Sequence, residues 1–133
     1  MNFDPNNPQH VVSKGGRKFI TYVGLQARLS DQQKLVVGSD TEILQNADDH
    51  PSHRWIIKRW LNIKNDERGV DGWFSAVGDA QVSYIDDDGN KVAANVGGMV
   101  EPHALRMAET RADVRILRTV TRSEYTAAEE LGG

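Results

Sequence analysis

Between Arg54 and Lys64 the chain alternates with a period of two. Trp55, Ile57, Arg59, Leu61 and Ile63 fall on one face, and Arg54, Ile56, Lys58, Trp60, Asn62 and Lys64 on the other. Such alternation predicts a half-buried strand whose outer face is basic and aromatic. Ahead of it, Phe19-Ile20-Thr21-Tyr22 is β-prone, and Val23, Leu25, Ala27 and Leu29, followed by the polar Ser30 to Lys34, predict a short helix. Leu35-Val36-Val37 and Thr41 to Leu44 predict a strand interrupted at Gly38, and Asn46 to Ser52 an acidic, proline-containing loop. After a turn across Asn65 to Gly72, Trp73-Phe74-Ser75-Ala76-Val77 resumes strand character, which makes a meander. Val82 to Ile85 and Lys91 to Ala94 flank Asp86-Asp87-Asp88-Gly89-Asn90, whose Asp-Gly and Gly-Asn steps supply the positive φ of a tight hairpin.

The period changes after Pro102. Proline is tolerated in a first helical turn, and the twenty residues that follow contain neither Gly nor Pro. At 100° per residue Leu105, Ala108, Ala112, Ile116 and Val120 share one apolar sector, wide enough to pack a helix onto a sheet. The predicted class is therefore α+β: an antiparallel β-meander of roughly three to five strands packed against a long C-terminal helix, with a short helix before the sheet. Residues 1–17, with two prolines, three asparagines and the Gly15-Gly16 pair, read as a flexible N-terminal arm. The closing Gly132-Gly133 reads as the start of a linker.

A length of 133 residues with 38% hydrophobic content supports one modest core and one domain. No run approaches the roughly 18 apolar residues of a membrane span, and Met1 to Gln9 lacks the charged-then-apolar pattern of an export signal, so a cytoplasmic protein that meets no membrane is expected. Cysteine is absent, which excludes disulfides and thiolate chemistry. A formal net charge of −3 argues against a uniformly basic nucleic-acid binder and makes the distribution of charge the relevant quantity. Acidic residues gather in Asp40 to Asp49, Asp86 to Asp88, and the tail at Glu124, Glu129 and Glu130. Basic ones concentrate in Arg54 to Lys64 and Arg106 to Arg122.

Within the second basic segment Arg111, Arg115, Arg118 and Arg122 recur at spacings of four, three and four, which places them in one stripe beside the apolar sector. At ~1.5 Å rise per residue the stripe spans about 16 Å, the reach of roughly three phosphates. Like charges at this spacing repel, whereas a salt-bridged helix face would interleave carboxylates, so the stripe points to an anion. Guanidinium suits phosphate through bidentate donation. Arg106 lies on another side, near Glu109 and Asp113, and reads as ordinary surface. Arg54, Lys58 and Lys64 with Trp60 between them offer phosphate partners and a ring for base stacking, or alternatively a charged guard on a sheet edge.

His103-Ala104-Leu105-Arg106-Met107-Ala108-Glu109-Thr110-Arg111-Ala112, followed by Arg115 and Leu117-Arg118, resembles a helix of phage single-strand annealing proteins, the relatives of the Rad fifty-two group that include Sak-type and DdrA-like proteins. Lys18 to Leu25, Gly78-Asp79-Ala80, Asn95-Val96 and Tyr125 to Leu131 extend the likeness in matching order, so that residues 18–131 resemble one annealing domain. The resemblance implies a curved meander backed by a long helix and a homo-oligomeric ring or spiral. It implies ATP-independent binding of single-stranded DNA and annealing of complementary strands in homologous recombination and repair. It also implies a phage-encoded or phage-derived chain that works with phage or host recombination proteins. Arg115 and Arg118 match the arginines of the family's basic helix, and Arg111 belongs to the shared Ala-Glu-Thr-Arg-Ala pattern; Arg122 rests on spacing alone. The chain departs from the family at Asp113 and Val114, where a more basic, alanine-rich run is usual. It departs again in the inserted segment from Val82 to Ala94 and in the polar stretch from Arg28 to Leu35.

Catalytic chemistry has little support. No nucleophile motif or Walker-type loop is present. His50-x-x-His53 is interrupted by Pro51 and lacks further zinc ligands, and the loop from Asp86 has Gly97 where a calcium loop needs its bidentate Glu. Gly97-Gly98 is a weak anion signal, opposed by Glu101. No cofactor, metal or enzymatic activity is expected. In the expected arrangement Arg111, Arg115 and Arg118 hold backbone phosphates, Arg54 and Lys58 line an opposite wall, and Trp60 or Trp73 meets bases. Two other readings stand beside it: an RNA-binding module that uses the Trp60 sheet face, and an oligomeric scaffold whose arginine stripe pairs with Asp40 to Asp49 or Asp86 to Asp88 of a neighbour.

Overall fold

Three antiparallel strands of twelve residues carry the architecture: β3 (Lys34–Gln45), β4 (Arg54–Asn65) and β5 (Val70–Gln81), in that spatial order. Before them come β1 (Val11–Lys14), β2 (Arg17–Ile20) and α1 (Tyr22–Asp31); after them come β6 (Ser83–Ile85), β7 (Lys91–Ala93), α2 (Ala104–Thr121) and β8 (Thr126–Ala127). The computed structural model describes residues 2–47, 53–66, 69–85, 88–93 and 103–128. The α+β class, the short helix, the meander, the β6–β7 hairpin and the long helix on the sheet all follow the sequence pattern. His50, Pro51, Asp86-Asp87, Gly97-Gly98, Pro102 and Glu129 to Leu131, which bore several of the readings above, lie outside the described residues.

The alternation in β4 sorts its side chains as expected. Ile57, Leu61 and Ile63 are buried beneath the helices, with Ile20, Leu25, Leu29, Val114 and Leu117 extending the core at one end and Ala104, Met107, Ala108 and Ala112 at the other. Helix α2 lies across β5 and β4, and it comes closest at Gly78. A Cβ at that glycine would stand 2.0 Å from the Ala108 carbonyl oxygen and 2.7 Å from the Ala112 nitrogen. Glycine on the strand and alanines on the helix are the residues that permit this approach.

Arg59 sits on the helix-facing side of β4. Its Nε donates to Asp113 Oδ1 at 3.0 Å, its Nη1 donates to Thr41 Oγ1 at 2.8 Å, and Glu109 lies 3.7 Å away. The hydrogen bond to Asp113 holds the guanidinium above its ordinary pKa against the opposing effect of burial. Asp113, one of the departures from the annealing-protein pattern, thus neutralises a cation under the helix.

Three expectations are corrected. Residues 1–17 contain a strand: β1 pairs with β2 around Gly15 and Gly16, whose φ values of 59° and 76° make the turn. Val11 and His10 are buried there, and Phe3 stacks on His10 with its ring also under the Arg28 guanidinium. A four-residue strand is invisible to periodicity and exists because β2 and β8 complete a small mixed sheet, in which β2 and β8 run parallel. Strand β3 is continuous across Gly38, with a shift of register between Val36 and Gly38 in place of a break. Finally, β4 is the central strand, so its charged outer face is not the guard of a sheet edge.

Gly78→Ala is expected to destabilise the fold by about 3 kcal/mol, because the added methyl meets helix backbone that has nowhere to move. Asp113→Ala is expected to cost about 2–3 kcal/mol by removing the carboxylate hydrogen-bonded to Arg59 and leaving only the more distant Glu109. Equilibrium urea unfolding measures both. Arg28 holds Glu124 through two hydrogen bonds of 2.8 and 2.9 Å and keeps that carboxyl below its ordinary range. A lowered folded-state pKa means the contribution is complete above about pH 4.3 and disappears as pH falls below it. Thermal melts between pH 3 and 6 should therefore show an acid-side loss that Glu124→Gln reduces.

Candidate nucleic-acid interface

Of the arginine stripe, Arg111 and Arg115 lie against the free edge of β5, Arg118 lies further along α2, and Arg122 caps its end. Arg111 is 5% exposed, and its Nη1 donates to the Asp79 carbonyl at 2.9 Å. One turn on, Arg115 Nη1 donates to the Val77 carbonyl at 2.5 Å. Val77 and Asp79 are two apart in an edge strand, so their carbonyls point out of the same edge, and the two guanidiniums cap it. Arg118 Nε donates to the Tyr125 carbonyl at 3.0 Å, which ties down the chain leaving the helix. Arg122 ends α2 in the left-handed region, φ 55° and ψ 47°, and is exposed. Arg111 is thereby withdrawn from the expected phosphate site into a structural role.

The remaining stripe keeps its charge at the surface. The Arg115 side chain is 39% exposed, with Asp79 Oδ1 4.0 Å from its Nη2. Arg115, Arg118, Thr119 and Ser123 line a shallow pocket of 360 Å³, and no carboxylate stands among these described lining residues. A second cleft of 390 Å³ adjoins it, sharing Thr119 and adding Arg122, Lys34 and Phe74. Lys34 Nζ donates to the Val120 carbonyl at 3.2 Å, and Gln32 Nε2 to the Thr121 carbonyl at 3.0 Å. These contacts satisfy the last carbonyls of α2 and offset the negative end of the helix where an anion would otherwise be repelled.

The other predicted site residues lie elsewhere. Lys58, Trp60 and Lys64 occupy the sheet face turned away from α2, because Ile57, Arg59, Leu61 and Ile63 face it. They cannot form the opposite wall of a groove with Arg115. Acidic residues stand across from them in register: Glu42 opposite Lys58, Asp40 opposite Trp60, and Asp71, which accepts from Asn62 Nδ2, opposite Lys64. The Lys58 ammonium sits 4.4 Å over the Trp60 ring, and the Trp73 ring covers the space left by Gly38. Arg54 is bound to Asp79 at 2.6 Å and to Gln81. Asp79 lies 4.0 Å from Arg115, so one carboxylate stands between Arg54 of the first basic segment and Arg115 of the second.

No protein-family model, curated protein or solved structure matches the chain. Among the described residues no group of three or more His, Asp or Glu side chains is placed to hold a metal, and no helix is long and apolar enough to cross a membrane.

Lys34, Thr119, Ser123 and Phe74 were not anticipated. Thr119 and Ser123 were within reach of the same helical-wheel argument, but Lys34 arrives from 86 residues away in sequence. The expected signature of this division is that Arg111→Met lowers stability by about 1–3 kcal/mol, by removing a buried hydrogen-bonded charge, while Arg122→Ala stays within about 0.5 kcal/mol. Paired thermal and urea unfolding curves measure the difference.

Proposed function

We propose that this chain binds single-stranded DNA by its phosphates through Arg115, Arg118 and Arg122, and anneals complementary strands without nucleotide hydrolysis. The observation that carries the reading is the placement of Arg115, Arg118 and Arg122 together toward the C-terminal end of α2, around two adjoining clefts. Contacts made to phosphate are indifferent to sequence and weaken with salt, and they leave base edges available to a second strand. The resemblance of residues 18–131 to single-strand annealing proteins supports the same assignment, and the proposed setting is cytoplasmic recombination and repair, in a phage-encoded or phage-derived protein working with phage or host recombination proteins. Arg54 takes a secondary position behind Asp79. The sheet-face RNA reading is less favoured, since Lys58 covers Trp60 and acidic residues flank both.

Self-association belongs to this proposal. Leu35, Val36, Val37, Ile43 and Leu44 of edge strand β3 are 41–52% exposed, a concentration of apolar surface that a monomer would leave in water. Unlike β5, this edge is not capped by arginine among the described residues. A second copy is the occupant proposed for it, since the opposite edge of the same sheet also presents exposed apolar residues, Trp73 and Val77. The same observation favours the scaffold reading, and binding separates the two.

Titration of a fluorescent single-stranded oligonucleotide at several salt concentrations, beside mass determination, tests the proposal. The wild-type protein is expected to be an oligomer that binds in a salt-dependent manner. Arg115→Ala/Arg118→Ala should weaken binding at least about tenfold and flatten the log–log salt slope by about 1.4, the loss of two phosphate contacts at ~0.7 each. Val37→Asp/Ile43→Asp should lower the mass to that of the monomer. An intact oligomer that binds no strand would leave the scaffold reading in its place.

A further inference from the structure

We infer that the cleft between Phe74 and the end of α2 is a nucleobase site, which takes one base of a bound single strand while the arginines beside it hold the phosphates. The inference rests on the reading above and extends it from backbone to base. The cleft exists for two local reasons: α2 ends at Arg122, and β5 carries Gly72 where a side chain would project into the space. A Cβ there would stand 3.7 Å from Phe74 Cε2, so larger side chains fit the strand but occupy the cleft. Its apolar surface comes from Ile63, Val120 and the Phe74 ring, and its polar groups from Lys34, Asn65, Asp71, Thr119 and Arg122, two cations against one carboxylate. An apolar wall with a few polar groups, in a volume of 390 Å³, is the composition of a site for a small planar heterocycle.

Phe74 explains itself poorly as a core residue. It is registered opposite the buried Leu61 and so points to the helix side of the sheet, yet it remains 42% exposed. An aromatic ring held half-open beside cations is the platform on which single-stranded nucleic acids stack, and stacking tolerates any base. Position supplies the second argument. Thr119 lines both this cleft and the Arg115–Arg118 pocket, so a nucleotide with its base on Phe74 has its phosphate beside Arg118 or Arg122. Arg115 to Arg122 spans about 10 Å along the helix, room for roughly two successive phosphates.

The test compares two strands of equal length and equal phosphate number, oligothymidylate and a fully abasic oligomer, on wild type, Phe74→Leu and Gly72→Val. Leucine keeps apolar volume without the ring, and valine fills the cleft without touching a cation; melting temperatures confirm that both variants fold. Wild type is expected to bind the base-bearing strand about tenfold more tightly than the abasic one. Each variant should bring oligothymidylate down to the abasic affinity with an unchanged salt slope. Equal binding of the two strands by wild type, or a preference that survives both substitutions, overturns the base site and leaves the phosphate reading standing. Failure of wild type to bind either strand removes the phosphate reading and the base site together.

Discussion

Helix α2 can approach the sheet only where Gly78 leaves room for Ala108 and Ala112, and the placement of the cationic residues follows from that contact. Close packing at one point fixes the height and the rotation of the helix together. With Ala108 and Ala112 against β5, Arg111 and Arg115, each three residues further round the helix, reach the edge carbonyls of Asp79 and Val77. Arg118 and Arg122 then follow toward the end of the helix, where Arg122 shares a cleft with Gly72 and Phe74 of β5. A bulkier residue at position 78 would lift the helix and unseat the arginines from the strand edge, so a packing constraint and the arrangement of charge share one origin.

Net charge says little about such a surface. The chain is acidic overall, yet its carboxylates are distributed against its cations: Asp113 serves Arg59, Asp79 serves Arg54, and Glu124 serves Arg28. The sheet face repeats the pattern through the cross-strand partners of Lys58 and Lys64. At the end of α2, Arg115, Arg118 and Arg122 stand near one another, and Lys34 answers the helix carbonyls. Local excess, set by which charges meet in the fold, is what an anionic polymer encounters within a Debye length of about 8–10 Å.

The two edges of the meander are treated differently. On β5 the outward carbonyls of Val77 and Asp79 are consumed by guanidinium donors, which blocks strand addition at that point. On β3 a twelve-residue edge carries exposed valine, isoleucine and leucine. Under the proposed function, this asymmetry would leave the β3 edge for a second copy and the end of α2 for a strand, and oligomerisation would let weak contacts along that strand act together.

The β4 alternation, the strand character of β3 and β5, the hairpin at Gly89 and the helix after position 103 were legible from the chain alone, because each depends on local period or turn chemistry. The shared direction of the four arginines was legible for the same reason. Their fates were not. Whether an arginine is a strut or a surface cation depends on partners that the fold brings from far away: 32 residues for Arg111 and Asp79, 38 for Arg115 and Val77, 54 for Arg59 and Asp113. The strand at Val11–Lys14 was hidden because its stability lies in its pairing with β2. The side of the sheet on which Lys58 and Trp60 stand relative to the stripe was likewise decided only when α2 chose a face. Local sequence determines which residues point the same way along an element; tertiary packing alone decides what they point at.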